Sequence, residues 1–390
     1  MQVSQRIAGL TGGGSDGWDV FYRARALTAA GQDVTELTIG EHDVRTDPVI
    51  LEAMRASAEG GHTGYAMVPG VEALRDAVAA RLTDRTGVAT ARENVLIVPG
   101  GQAGLFAAKH AVCDEGDVAL YCDPYYTTYP GTLRGVGAMP RAIQTKPEHG
   151  FQPQYAEIMA AAEGARSILV NSPNNPTGVV YNRSTMEGIA RACIERDLWC
   201  ISDEVYDTQV WDGAHLSPRQ MEGMEERTLV VGSMSKSHAM TGSRVGWVVG
   251  PVEVMAHMIN LATHTTYGVP GYIQDAAVFA LAQGTPLEEK VAAPFLRRRG
   301  LAMALLERQN VVRVVPSGGA MYLMLDIRAT GLSGEAFANK LLDAHHIAVM
   351  PGESFGQAAA GHVRVAMTVA DEAFATALST VLEFARELAT

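Results

Sequence analysis

Ser233-Met-Ser-Lys-Ser-His-Ala-Met-Thr-Gly-Ser-Arg-Val-Gly246 is the stretch on which the reading of this chain turns. Residues 228–231, a run of β-formers, lead into it, so it reads as the loop after a buried strand. A lysine stands between two serines, and an arginine follows eight positions on. A strand-end lysine with hydroxyls and a guanidinium around it suits one chemistry. The Lys236 amine forms a Schiff base with a carbonyl cofactor, while Ser233 and Arg244 hold that cofactor's phosphate. The competing reading is a solvated loop whose lysine and arginine face water. The rest of the chain decides between them.

Working outward, short β-rich runs at 94–98, 118–122, 168–171, 198–202 and 228–232 alternate with helical patterns. One helix follows Gly100-Gly101 and runs to about Val112. Another starts at the capping-box signature Ser184-Thr-Met-Glu187, with Ile189, Ala190, Cys193 and Ile194 on one face. Apolar strands alternating with helices predict an α/β domain with a mostly parallel sheet covered on both faces. Ligands of such sheets bind beyond the carboxyl ends of the strands. Past about residue 287 the texture changes to an Arg-rich helix (Arg297–Arg299) and strands at 311–315, 321–326 and 362–366, which predicts a second, α+β domain.

The strand ends carry the candidate chemistry. Asp203 follows the run 198–202, and a carboxylate at a buried strand end needs a partner. A protonated pyridine nitrogen is one, and the pair keeps the ring electron-withdrawing; a helix N-cap is the plain alternative. Tyr206 would place a phenol near the ring's hydroxyl. Asn171-Ser-Pro-Asn-Asn-Pro-Thr-Gly178 is a stiff turn from which Asn175 can meet a ring oxygen. Gly100-Gly-Gln-Ala103 opens a helix whose free N–H groups suit a phosphate. Tyr126 can stack on a ring face, while Tyr125 and Tyr129 read as packing.

Bulk properties narrow the classes. With 390 residues, two domains are the default. A net charge of −12 without a Lys/Arg block argues against nucleic acid or an anionic membrane as partner. An anionic substrate must then be met by a few placed cations. The longest apolar runs fall short of a membrane span, and the first residues do not read as a signal peptide. Cys113, Cys122, Cys193 and Cys200 show no CxxC pairing, which fits buried thiols in a reducing cytoplasm. No cluster has metal-ligand spacing, no G-x-S-x-G occurs, and Gly12–Gly17 reads as a flexible arm rather than a phosphate loop. Arg45, His62 and His264 read as surface or turn residues, though each is placed to be tried against a substrate side chain.

Taken together, and in this order from about Thr38 to Ala366, these motifs resemble the class I/II aminotransferases, pyridoxal-phosphate enzymes of fold-type I. The resemblance implies a large domain at 46–286, a small one at 287–390, and an arm at 1–45 that joins the small domain. It implies pyridoxal 5'-phosphate bound by Lys236 as Schiff-base lysine and proton carrier. Asp203 would lie on the pyridine nitrogen, Asn175 and Tyr206 on the phenolic oxygen, and Gly101, Gln102, Ser233 and Arg244 around the phosphate. Tyr65, in Tyr65-Ala-Met-Val-Pro-Gly70, matches a tyrosine that reaches the neighbouring subunit's phosphate, so a homodimer with shared sites is implied. Arg364 in His362-Val-Arg-Val-Ala-Met367 matches the arginine that grips the substrate α-carboxylate. Gly40 matches a glycine whose backbone faces the substrate. Two positions depart from the common pattern: Ser243 where a bulky residue is frequent, and His42 where proline is.

The implied reaction moves an amino group between an L-amino acid and a 2-oxoacid. A carbon–sulfur β-lyase of the same fold is the alternative, since it shares the lysine and the electron sink. A cofactor-sensing DNA-binding regulator is disfavoured by the acidic chain and by the roughly 35 residues ahead of the match. At finer grain, Ser235-Lys-Ser-His-Ala-Met-Thr-Gly242, Arg244-Val-Gly-Trp-Val-Val-Gly-Pro251, Thr330-Gly-Leu-Ser333 and residues 358–362 resemble arginine–pyruvate transaminases. A basic amino donor with pyruvate as acceptor follows from that likeness.

Overall fold

The computed structural model describes residues 1–14 and 17–389, so Ser15 and Asp16 of the glycine-rich opening lie outside the described residues. Twelve strands among the described residues form two sheets. The larger has seven, in the order β2 (Val95–Val98), β8 (Gly246–Val249), β7 (Thr228–Ser233), β6 (Trp199–Asp203), β5 (Ala165–Asn171), β3 (Val118–Asp123) and β4 (Met139–Gln144). Its neighbours from β7 through β4 run parallel, while β8 is antiparallel to both β2 and β7. Every residue of β2, β7 and β8 is buried, the signature of strands covered on both faces. Helix Gly101–Val112 packs across β6, β7 and β8, turning Leu105, Ala108 and Val112 inward. Each such aliphatic side chain contributes about 1.5–3 kcal/mol on full burial. Helices Pro48–Glu59, Glu72–Thr86 and Gly271–Ala282 cover the other face beside β2 and β8, where Ile50, Leu74, Val78, Ala276 and Ala280 share a core with Ile97, Val230 and Trp247.

The smaller sheet has the order β1 (Thr35–Leu37), β11 (Ile347–Pro351), β12 (His362–Ala366), β10 (Tyr322–Asp326) and β9 (Arg313–Val314). β1 pairs parallel with β11, and the other pairs are antiparallel. Helices Asp19–Ala29, Thr285–Leu306, Gly334–His345 and Asp371–Leu388 close its core around Phe295, Phe337, Leu341, Phe374 and Val381.

Local expectations needed correction in three places. Helix Arg183–Glu195 is capped by Asn182, whose side chain accepts the Thr185 N–H at 2.9 Å, and not at Ser184. Only Arg313–Val314 of 311–315 is strand, because the Gln309 amide takes the backbone groups of Val311 and Val312 into a turn. β1, β4, β8 and β11 went unread: β1 and β8 are very short, β4 is half-exposed, and β11 runs on from a helix without a breaker except His346, which adopts φ 55°.

Candidate active site

Three neighbouring parallel strands end together. Asn171, Asp203 and Ser233 are the last residues of β5, β6 and β7, with Asn171 in register with Asp203. Their ends open on a cavity of about 500 Å³. Its wall brings together Gly40, Gly101, Gln102, Tyr126, Asn175, Asp203, Tyr206, Ser233, Lys236, Arg244 and Arg364, every sequence-predicted site residue except Tyr65.

Lys236 sits in a single helical turn, Met234–Ser237, capped by Ser233, whose Oγ accepts the Ser235 N–H at 3.1 Å. The turn points the lysine into the cavity, where Nζ donates to the Gly40 carbonyl. Burial pulls its pKa down to about 8, with Arg364 and Arg244 lowering it further against Glu41. An amine that titrates there is neutral, hence nucleophilic, in a large fraction of molecules at mild pH. Behind it, His42 Nε2 meets the Lys236 carbonyl at 3.0 Å, and Gln209 donates to the same oxygen at 3.2 Å. Burial and the Lys236 charge bring His42 down to about 4.

Asp203 is deeply buried, and no helix starts at it, so the N-cap reading fails; β6 runs into a turn. Oδ2 accepts the Tyr129 hydroxyl at 2.6 Å, whereas Oδ1 has only the Val205 N–H at 3.4 Å. Burial pushes the carboxyl up to about 6, with the Tyr129 hydrogen bond opposing. That oxygen is under-satisfied toward the cavity, which suits a cationic N–H donor. Tyr129, read as packing, therefore holds the carboxylate; its signal was a phenol at the start of a helix after a strand.

The phosphate side is built from backbone and serines. Gly100 has φ 80°, and a Cβ there would lie 2.3 Å from Arg244 Nη2, so glycine is required both for the backbone and for the guanidinium. The turn frees the first N–H groups of the twelve-residue helix Gly101–Val112. Ser233 Oγ and Ser235 Oγ stand 2.9 Å apart beside it. Arg244 itself takes φ 52°, a left-handed conformation costing about 1–2 kcal/mol outside glycine. Its Nη1 and Nη2 donate to the Thr241 and Pro99 carbonyls at 2.9 and 3.2 Å.

The remaining wall comes from the smaller sheet. Arg364, fully buried on β12, donates from Nη1 to Asn175 Oδ1 at 2.8 Å and from Nη2 to the Thr38 carbonyl. Its Cζ lies 4.4 Å from the Tyr322 ring centroid and 4.3 Å from that of Phe355, and Nε has no partner. Tyr322 was missed. Its hydroxyl lies 2.9 Å from the Tyr206 hydroxyl and occupies the space a Cβ on residue 40 would need, at 1.7 Å. Gly40 is thus fixed by a side chain 282 positions away. Trp18, Phe21 and Tyr22 also line the cavity. Of the residues set aside, His62 pairs with Asp275 at 2.7 Å, His264 meets the Asn260 carbonyl at 2.8 Å, and neither they nor Arg45 border the cavity.

Tyr65 is 91% exposed, its ring 5.2 Å from that of Tyr267. The four cysteines are buried and unpaired. Among the described residues no helix is long and apolar enough to cross a membrane.

A lysine, an open carboxylate oxygen, a phenol and a helix N-terminus beside two serines and an arginine fit pyridoxal phosphate residue by residue. The comparisons with known proteins agree. The family model described as aminotransferase class I and II matches residues 32–381. An arginine–pyruvate transaminase of Pseudomonas aeruginosa is 40% identical over 386 residues, 99% of this chain and 98% of its own. An aspartate/prephenate aminotransferase of Thermus thermophilus is 34% identical over 94% of each chain. Among solved structures, the Thermus thermophilus aspartate aminotransferase with maleate superposes with a TM-score of 0.92 at 32% identity, over 98% of this chain and 100% of that one. An aromatic aminotransferase of Pyrococcus horikoshii gives 0.88 at 30% identity, over 94% and 99%. The chain therefore belongs to the class I and II aminotransferases, α/β enzymes of fold-type I that work with pyridoxal 5'-phosphate.

Proposed function

We propose that this transaminase takes its amino group from a basic L-amino acid and passes it to a 2-oxoacid such as pyruvate. One observation carries the substrate reading. Among the described residues the cavity wall has three cations, Lys236, Arg244 and Arg364, and each has a task. No fourth awaits the second carboxylate of an acidic donor. The wall beside Gly40 instead offers Glu41 and the rings of Trp18, Phe21 and Tyr22. An adjoining cavity of about 690 Å³ shares Trp18 and Tyr22 and adds Asp19, Glu335 and Glu353; its Arg134 is turned to the Leu10 carbonyl at 3.0 Å. Aromatic faces and carboxylates are what a guanidinium or ammonium side chain binds. The 40% identity to an arginine–pyruvate transaminase supports the same donor, and the relatives named above are all transaminases rather than carbon–sulfur lyases.

In this reading Arg364 grips the α-carboxylate by its guanidinium fork, with the Gly40 backbone and Asn175 alongside. Bound pyridoxal phosphate supplies an electron-withdrawing ring and a carbonyl for the amine. Asp203 keeps the ring nitrogen protonated, Tyr206 and Asn175 bind the phenolic oxygen, and Tyr126 lies against the ring. Gly101, Gln102, Ser233 and Arg244 hold the phosphate. Lys236 Nζ, displaced by the substrate amine, takes the proton from the substrate Cα.

We further propose a cytoplasmic homodimer in which Tyr65, too exposed and too far from its own cavity to serve it, reaches the partner's phosphate. The division of the chain at about 45/46 and 286/287 goes with this, since β1 lies in the smaller sheet and helix Thr285–Leu306 begins its own core. Mixing inactive Lys236→Ala and Tyr65→Ala proteins should regenerate activity in the hybrid, and a monomer with full activity would exclude it. For the donor, a panel of amino acids with pyruvate should rank arginine, lysine and ornithine above aspartate and glutamate by kcat/KM. Preference for the dicarboxylic donors would overturn the substrate reading.

A further inference from the structure

Lys109 lies under the site and has no part in the chemistry above. It sits on the inner face of helix Gly101–Val112 with no exposed surface. Its ammonium carries three donors, yet among the described residues Nζ meets one acceptor, the Tyr129 carbonyl at 3.3 Å. It also stands 5.2 Å from the centroid of the Tyr129 ring. The far end of that ring is the hydroxyl that donates to Asp203 Oδ2 at 2.6 Å. One tyrosine is thus held at its carbonyl and face by a buried cation, and at its hydroxyl by the carboxylate.

A poorly compensated lysine in an apolar layer weakens the fold, and a residue such as Met would pack there without that penalty. Burial brings the Lys109 pKa down to about 7, with Asp203 and then Cys113 raising it. Those two, from β6 and from the lysine's own helix, are the groups whose charge reaches it, and Tyr129 faces it from helix Tyr129–Gly135. Across the layer, Ser167 of β5 meets the Cys113 thiol at 3.2 Å. In the opposite direction, the Lys109 charge is among the influences that hold the Asp203 carboxyl down against burial.

We propose that Lys109 is a positioning residue, a positive charge beneath Tyr129 that keeps Asp203 ionised and aimed at the cofactor's ring nitrogen. This rests on the reading of Asp203 given above. The test uses cofactor-free wild type, Lys109→Met, Lys109→Gln and Asp203→Asn. Pyridoxal phosphate is titrated into each by absorbance between pH 6.5 and 8.5, and thermal unfolding of each cofactor-free protein is recorded. Lys109→Met should unfold no lower than wild type, because an apolar chain replaces the stranded cation. It should bind the cofactor about tenfold more weakly at pH 6.5, the effect of about one unit in the Asp203 ionisation. The gap should close towards pH 8.5, where Asp203 ionises unaided and Lys109 has lost its own charge.

Lys109→Gln keeps a donor for the Tyr129 carbonyl without the charge, so it should follow Lys109→Met. Wild-type affinity for Lys109→Gln alone would show that the hydrogen bond matters and not the charge, which overturns the proposal. Wild-type affinity for both at every pH overturns it too, as does a pH-independent loss that tracks lowered stability. Asp203→Asn separates the two layers of argument. If it binds the cofactor as wild type does at every pH, the reading of Asp203 itself falls; if it weakens binding while the Lys109 variants do not, only Lys109 loses its role.

Discussion

The two walls of the cavity are built on different principles. The cofactor wall takes Asn171, Asp203 and Ser233 from the ends of adjacent parallel strands. Parallel strands all finish on one side, so residues 30 positions apart in sequence arrive side by side without any special arrangement. The substrate wall takes Arg364 and Tyr322 from antiparallel strands, with Met324 opposite Arg364 and Tyr322 opposite Ala366. Arg364 and Tyr322 are diagonal neighbours on one face, and their contact depends on register. The first wall is set by topology. The second is set by alignment to within one residue, and a segment after β1 must also arrive to give Thr38 and Gly40.

That difference predicts how each wall fails. Lys236→Ala, at the centre of the cofactor wall, should lower kcat by about 10⁴-fold or more, the upper range for losing a proton carrier, and here the covalent anchor goes as well. Borohydride reduction followed by peptide mapping should find the cofactor on Lys236 in the wild type, and label on another lysine would remove the assignment. Asp203→Asn should follow at about 10²–10³-fold in kcat, the range for removing one preorganised charge. Were Asp203 only a turn residue, its loss would instead show as about 1 kcal/mol of stability with activity intact.

Legibility in the sequence divided along the same line. Asp203, Asn175, Ser233 and Lys236 each follow an apolar run, so a strand and its end residue can be read locally. Gly100-Gly101 could be read because a helix begins there. Tyr322 could not, because nothing in residues 321–326 shows that its ring will lie under Arg364 or fill the space above Gly40. Lys109 looks from its spacing like a cation snorkelling from a helix, and only the sheet behind the helix makes it buried. Tyr129 reads as one of three aromatic residues in 125–129, and the 2.6 Å bond to Asp203 needs the placement of helix Tyr129–Gly135. The strands at 35–37 and 347–351 were missed for the same reason: each is defined by its partner more than by its own residues.

On the substrate wall, Arg364→Lys should lower kcat/KM by about tenfold to a hundredfold for every amino donor, since lysine supplies charge without the fork. The cofactor absorption should stay as it was, because Arg364 touches Asn175 and Thr38 and faces the substrate. The loss should be equal for donors with different side chains. Amines lacking an α-carboxylate should be poor substrates of the wild type and indifferent to the change; if they turn over as well as amino acids, Arg364 is not the carboxylate clamp.

The smallest effect is expected at the seam between the walls, where the Tyr206 and Tyr322 hydroxyls meet at 2.9 Å. Burial raises the Tyr206 phenol well above its ordinary value, so it stays protonated and can donate. If Tyr206 gives its proton to the cofactor's phenolic oxygen, its own oxygen is left to accept from Tyr322. Tyr322→Phe then removes one neutral hydrogen bond, worth about 0.5–1.5 kcal/mol, or about twofold to tenfold in kcat/KM. The ring remains, and with it the contact under Arg364 and the filled space above Gly40. Tyr206→Phe should cost more, because it removes the donor itself. In the Tyr206→Phe background the Tyr322→Phe change should do almost nothing, since the hydroxyl it deletes no longer has a phenol to support. Losses that simply add in the double variant would mean that the two hydroxyls act separately, and that the walls are coupled through Arg364 alone.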